Sequence, residues 1–185
     1  PFLKIEAAAT IGKGVLAPSQ QEIEEYLKTW DNYCAAGNSI LKFVPASGAA
    51  TRMFKELFEF VNEDKRGKGI DYLLQNIEKF AFYEELRATG VDLADDRAVV
   101  SAIIKEGLNY GAKPKGLVTF HAYKEGVRKP VEEHLVEAAL YASNGERAAI
   151  HFTVSPEHKE GFLALLEERQ SYYEQKFGIK FDVSF

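Results

Sequence analysis

A chain of 185 residues that is 46% hydrophobic and 28% charged carries enough apolar material for one core, and a single domain is expected. Its net charge of -5 excludes a general nucleic-acid binder, which needs a clustered basic surface to displace counterions from phosphates. The one cysteine, Cys34, excludes an internal disulfide, the four histidines without a second cysteine exclude the usual structural zinc patterns, and no run is long and apolar enough to span a bilayer. The opening PFLKIEAAATIGKGVL also lacks the basic stretch and continuous apolar run of a secretory signal, so a cytoplasmic location and no membrane partner are expected. The chain has no initiator methionine and stops within a predicted strand, which reads as a piece of a longer protein.

Residues 1–18, rich in small residues and without a sustained period, read as a lead-in arm. Ser19 and Glu22 then have capping-box spacing. Ile23, Leu27, Trp30 and Cys34 recur at helical intervals before Gly37, which predicts an amphipathic helix with Cys34 buried on its apolar stripe. Residues 40–44 are a short apolar run ended by Pro45, suited to a buried parallel strand, and a helix is predicted from Thr51. Residues 56–110 turn helical in composition. Tyr72, Leu73, Ile77, Phe80 and Ala81, and later Val99, Ile103 and Leu108, keep a helical period, which predicts roughly three helices forming an insertion.

After Gly111, Pro114 and Gly116, residues 117–121 read as a second strand, and Pro130 opens a helix lined inside by Val131, Leu135, Ala138 and Ala142. Residues 148–154 alternate as a third strand. Ser155 and Pro156 start a helix to Phe177, Gly178 ends it, and residues 179–185 supply a fourth strand. Strands alternating with helices predict an α/β fold with right-handed crossovers, a three-layer Rossmann-like and mostly parallel sheet.

In such a sheet, ligands gather beyond the carboxyl ends of the strands, and the loop after residues 40–44 occupies such an end. Ala46, Ser47, Gly48, Ala49 and Ala50 let the backbone approach a ligand closely, free N–H groups at the following helix attract phosphate, and Arg52 and Lys55 add positive charge. An arginine can grip two phosphate oxygens in parallel. The structural alternative is a tight turn with Arg52 paired to Glu56 one helical turn on. Neither the G-x-x-x-x-G-K-[ST] nor the G-x-G-x-x-G phosphate loop fits GAATRMFK, which offers Gly48 alone.

PASGAATRMFK resembles the signature loop of the sugar-1-phosphate nucleotidyltransferases, a small-residue turn followed by [ST]-R-[ML], with Thr51, Arg52 and Met53 at its end. Together with TFHAY, RKPVEEHLVE and HFTVSPEH it looks like a bacterial family of unknown function grouped with the nucleotide-diphospho-sugar transferases of GT-A-like fold. The resemblance implies that residues 46–51 and Lys55 wrap a nucleoside triphosphate and that Arg52 contacts the phosphates leaving as pyrophosphate. It further implies that Lys129, in a Lys-Pro pair ahead of a helix, reaches the same phosphates, although its distance from the loop exceeds that of the compact enzymes. Mg2+ is the implied cofactor, with ligands beyond this chain, because the metal-binding aspartate of these enzymes has no counterpart here. A sugar phosphate is the implied acceptor. From another class, a non-catalytic nucleotide-binding or protein-interaction module would keep the loop without the metal site.

His121, at the end of the second predicted strand, is a candidate donor to phosphate or ribose. His134, close to Glu137, reads as structural, and no two histidines have the spacing of a zinc site.

Overall fold

The computed structural model describes residue 4 and residues 6–185, so the first residues of the lead-in arm lie outside the described part. The chain divides into two compact units, Pro1–Ser39 and Ile40–Phe185. Among the described residues no helix is long and apolar enough to cross a membrane.

In the first unit, two-residue strands β1 (Thr10–Ile11) and β2 (Gly14–Val15) pair, and helix α1 (Gln20–Ala35) follows. The capping box forms as the spacing predicts: the Glu22 N–H donates to the Ser19 hydroxyl, and the Ser19 N–H donates to the Glu22 carboxylate at 2.8 Å. The expectation that Cys34 is buried is corrected. It is partly exposed and no residue of α1 is buried, because the short β1–β2 pair offers its own unit no sheet face on which to bury a helix.

The second unit contains, in order, β3 (Leu41–Pro45), α2 (Lys55–Glu63), α3 (Lys68–Gln75), α4 (Tyr83–Ala88), α5 (Asp96–Ile104), β4 (His121–Tyr123), β5 (Gly126–Arg128), α6 (Pro130–Tyr141), β6 (Arg147–Thr153), α7 (Lys159–Phe177) and β7 (Lys180–Ser184). The fold is mixed α/β. Strands β3, β6 and β7 form one parallel sheet in that order, with Leu41 opposite Ala149 and Arg147 opposite Lys180. Both crossovers step the same way across the sheet, so right-handed connection places α6 and α7 on one face. Alternation does the rest. Ala148, Ile150 and Phe152 point from β6 into a core with Val131, Leu135, Phe162 and Tyr173, while Leu41 and Phe43 stand exposed on the opposite side.

Residues 117–121 do not supply a further strand of this sheet, contrary to the sequence reading. Val118 is buried among the helices, and the buried Thr119 hydroxyl donates to the Glu85 carboxylate of α4 at 2.7 Å, so this stretch is engaged by side-chain packing. The strand signal beside it belongs to an antiparallel hairpin, β4 with β5, turning through Lys124 and Glu125. Gly126 completes that turn at a φ of 134°, a conformation side chains disfavour.

A second core gathers the helices of residues 55–104, four where the periodicity predicts roughly three, around Ile70, Leu86, Val99, Val100, Ile103 and Tyr110. Residues 111–116 run between the two cores. A Cβ on Gly111 would strike the Phe58 ring and lie 2.7 Å from the Ile104 carbonyl oxygen, and one on Gly116 would lie 2.7 Å from Phe162 Cζ. Two glycines thus let this strap press against a core at each end. Gly111→Ala is expected to lower stability by about 1 to 3 kcal/mol through overpacking against a backbone oxygen that cannot swing aside. Urea unfolding measures this, and an unchanged midpoint would contradict the strap.

Candidate functional site

The carboxyl ends of β3 and β6 lie together, with Pro45 opposite Thr153 and the Ala46 N–H donating to the Thr153 carbonyl at 2.8 Å. From there the loop leaves the sheet. Ala50 is fully buried and anchors it, whereas Ser47, Gly48, Ala49, Thr51 and Arg52 are exposed. The Met53 N–H donates to the Ala50 carbonyl at 2.8 Å, a turn that precedes α2. The predicted helix start at Thr51 is therefore corrected to Lys55. Ala50 and Phe54 are drawn into the helical core, which bends the chain before the helix can begin, and Phe54 caps α2 without a side-chain hydrogen bond.

Gly48 is informative because nothing internal requires it. Its φ is not positive, and a Cβ there would meet no atom within 4 Å. The glycine faces open space at the carboxyl edge of the parallel sheet.

The opposite wall is the strap. The Lys115 N–H donates to the Gly48 carbonyl at 3.2 Å, and Pro114, buried, pairs with Ala49 as an isolated bridge. Lys113 is half-buried, its ammonium 5.5 Å from the centre of the Tyr110 ring. Burial, and then repulsion from Lys129, lowers the Lys113 pKa below the usual lysine value, with Glu85 acting in the other direction. His158 Nε2–H donates to the Ala112 carbonyl at 3.3 Å, and its Nδ1 is buried without a hydrogen-bond partner.

Arg52 lies in a shallow groove with Lys55, Phe58, Glu59 and Asn62. It forms no ion pair among the described residues: the Glu56 pairing that would make it structural does not form, whereas Lys55 meets Glu59 at 3.6 Å. Lys129 lies elsewhere, in a cleft of about 190 Å3 with Glu85, Thr119, Arg128, Glu132 and Arg169. His121 opens the hairpin opposite Arg128 and stacks near Tyr123. Arg52 and Lys129 thus line separate depressions, and the chain brought against the loop is Lys113 to Lys115, which the sequence reading passed over. Its signal was the string Lys-Pro-Lys between Gly111 and Gly116, charge on a stretch stiffened by proline and pinned by glycine.

Two carboxylates of the cleft beside Lys129, those of Glu85 and Glu132, accept hydrogen bonds, while Glu168, also in its wall, forms no ion pair among the described residues. Glu132 is only 4% exposed; its Oε1 accepts from Arg169 Nε at 2.8 Å and from the Tyr173 hydroxyl at 3.0 Å, and its Oε2 accepts from the Lys129 N–H at 2.9 Å. Burial, with the Glu132 charge adding to it, pushes the Tyr173 phenol up to about 12. Glu85 accepts from Thr119 and from the Tyr110 hydroxyl, the latter at 3.0 Å, and burial likewise raises Tyr110. Among the described residues no group of three or more His, Cys, Asp or Glu is placed to hold a metal ion, and Asp182 is paired with Arg147 at 2.6 Å. The donor set for the implied Mg2+ is thus not met by these residues.

The chain belongs to the family described as a domain of unknown function (DUF4301), which matches residues 1–185. No curated protein and no solved structure matches it.

Keeping Lys113 charged in a half-buried place beside another lysine works against folding. Its folded pKa lies below the unfolded value, so the penalty is complete below the folded pKa and fades as pH rises toward the ordinary value near 10.5. Lys113→Met is therefore expected to raise the urea midpoint at pH 7, with an advantage that shrinks at pH 10. A lower midpoint at pH 7 would show that the ammonium is structural.

Proposed function

We propose that this member of the DUF4301 family binds a nucleoside triphosphate at the carboxyl edge of its parallel sheet and transfers the nucleotidyl group to a phosphorylated acceptor of the sugar-phosphate class. The observation that carries the reading is the loop itself: Gly48 faces open space at a strand's carboxyl end, with the strap's Lys115 bonded to it and Arg52 unpaired on its far side. The loop's resemblance to the sugar-1-phosphate nucleotidyltransferase signature supports the same chemistry. An acceptor phosphate oxygen attacks the α-phosphorus in line, the bond to the bridging oxygen breaks, and pyrophosphate leaves. Catalysis is then positional and electrostatic: Arg52 and the strap lysines Lys113 and Lys115 balance charge on the β- and γ-phosphates as it grows. We assign the strap lysines the role that the sequence reading gave to Lys129. Ser47, Ala49 and Thr51 contribute backbone to the phosphate cradle.

The reading includes the three-layer Rossmann-like arrangement, in which a further layer covers the face bearing Leu41 and Phe43. Parallel sheets are almost always covered on both sides, which supports it. A cytoplasmic location goes with a triphosphate substrate and a lone cysteine.

Pyrophosphate release against a panel of triphosphates and sugar phosphates tests the reaction; binding without release would leave a nucleotide-binding module. Arg52→Ala should weaken triphosphate binding by about 1.5 to 3 kcal/mol, roughly 10 to 100-fold, since it removes a charge-assisted and potentially two-pronged contact. Arg52→Lys should recover part of this, charge without the planar fork. Calorimetric titration checks both, and a folded Arg52→Ala protein binding as tightly as the parent would refute the loop's role.

A further inference from the structure

The groove beside Arg52 carries an aromatic ring that the triphosphate reading leaves unused. Thr51, Arg52, Lys55, Phe58, Glu59 and Asn62 recur at steps of three and four residues, so from the end of the loop they follow one side of α2, with Glu63 at the far end. Most of the charge along it is committed. Lys55 meets Glu59 at 3.6 Å, Glu63 meets Lys65 at 2.6 Å, and the Asn62 side-chain oxygen accepts from Lys105 Nζ at 3.0 Å. The Asn62 amide N–H groups donate to no group among the described residues, and they and the groove side of the Phe58 ring remain for a ligand.

Phe58 is half-buried, packed on the helical core and held at one edge by the strap: a Cβ on Gly111 would lie 2.4 Å from its Cζ and 3.1 Å from its Cε2. The close approach that sets the height of the strap thus also sets the ring. A ring fixed in this way offers a stacking surface with little side-chain freedom left to lose. Loop and groove share Thr51 and Arg52, and the three residues from Gly48 to Thr51 span at most about 11 Å, within reach of a triphosphate whose phosphates lie on the loop. We propose that this groove seats the nucleoside of the bound triphosphate, with the base stacked on Phe58 and the Asn62 amide donating to an acceptor at its edge. The volume of about 280 Å3 admits a nucleoside. An apolar surface beside a few placed polar groups is what a base requires, since its faces stack and only its edges hydrogen-bond. The inference rests on the triphosphate reading, and it makes Phe58 a determinant of nucleotide over bare polyphosphate.

Titration calorimetry of the full chain with ATP, GTP, CTP and UTP, and with inorganic tripolyphosphate as the ligand that lacks a nucleoside, tests it. At least one nucleoside triphosphate is expected to bind more tightly than tripolyphosphate. Phe58→Leu should weaken that triphosphate roughly tenfold and leave tripolyphosphate unchanged, while Phe58→Tyr keeps the parent affinity because the stacking face survives. Thermal melting verifies that each variant folds. In the parent chain, the Phe58 ring and Asn62 side-chain amide resonances should shift with the triphosphate and stay in place with tripolyphosphate, a readout that needs no variant. Equal affinity for tripolyphosphate and every triphosphate, a folded Phe58→Leu chain that binds the triphosphate like the parent, or equal weakening of both ligands would overturn the role of the groove and leave the loop reading standing. Binding of neither ligand would overturn both.

Discussion

The strap of residues 111–116 is the constraint on which the second unit turns. Gly111 presses on Phe58 and the Ile104 carbonyl in the helical core, and Gly116 presses on Phe162 and Val131 in the sheet core. Neither contact tolerates a Cβ without displacement. Between them Pro114 is buried and the Lys115 N–H reaches the Gly48 carbonyl, so the packing of two cores fixes the height at which the strap meets the loop. The backbone of such a stretch has little further freedom to lose on meeting a ligand, although its lysine side chains do.

Much of the fold was legible in the sequence because its period survives folding. The apolar runs at 40–44, 148–154 and 179–185 became the three parallel strands within a residue or two, and Ser19 with Glu22 announced the start of α1. The failures have common physics. At 117–121 the residues suit a strand, yet Val118 and Thr119 are taken by side-chain partners on α4 and in the helical core, a tertiary choice no local pattern records. The late start of α2 has the same cause, since Ala50 and Phe54 pack before the helix can begin. The strap lysines were missed because a proline and two glycines read as punctuation, whereas here they are the means of rigid placement.

The polar interior separates structure from chemistry. Glu132 is buried and meets Arg169, Tyr173 and the Lys129 N–H, and of these Arg169 is the counter-charge whose removal would leave the buried carboxylate without compensation. Lys113 and Lys129 form no ion pair among the described residues, and Glu133 Oε1 and His158 Nδ1 are buried without a hydrogen-bond partner. Groups left in this condition are places where a folded chain departs from its own stability optimum.

Backbone amide chemical shifts of the isotopically labelled chain, followed during titration with a non-hydrolysable nucleoside triphosphate, test the central claim most directly. The account predicts saturable shifts centred on the amides of Ser47, Gly48, Ala49, Thr51 and Arg52 and on Lys113 and Lys115 across the strap, all fitting one dissociation constant. Shifts confined to other regions, or none at saturating triphosphate, would contradict it.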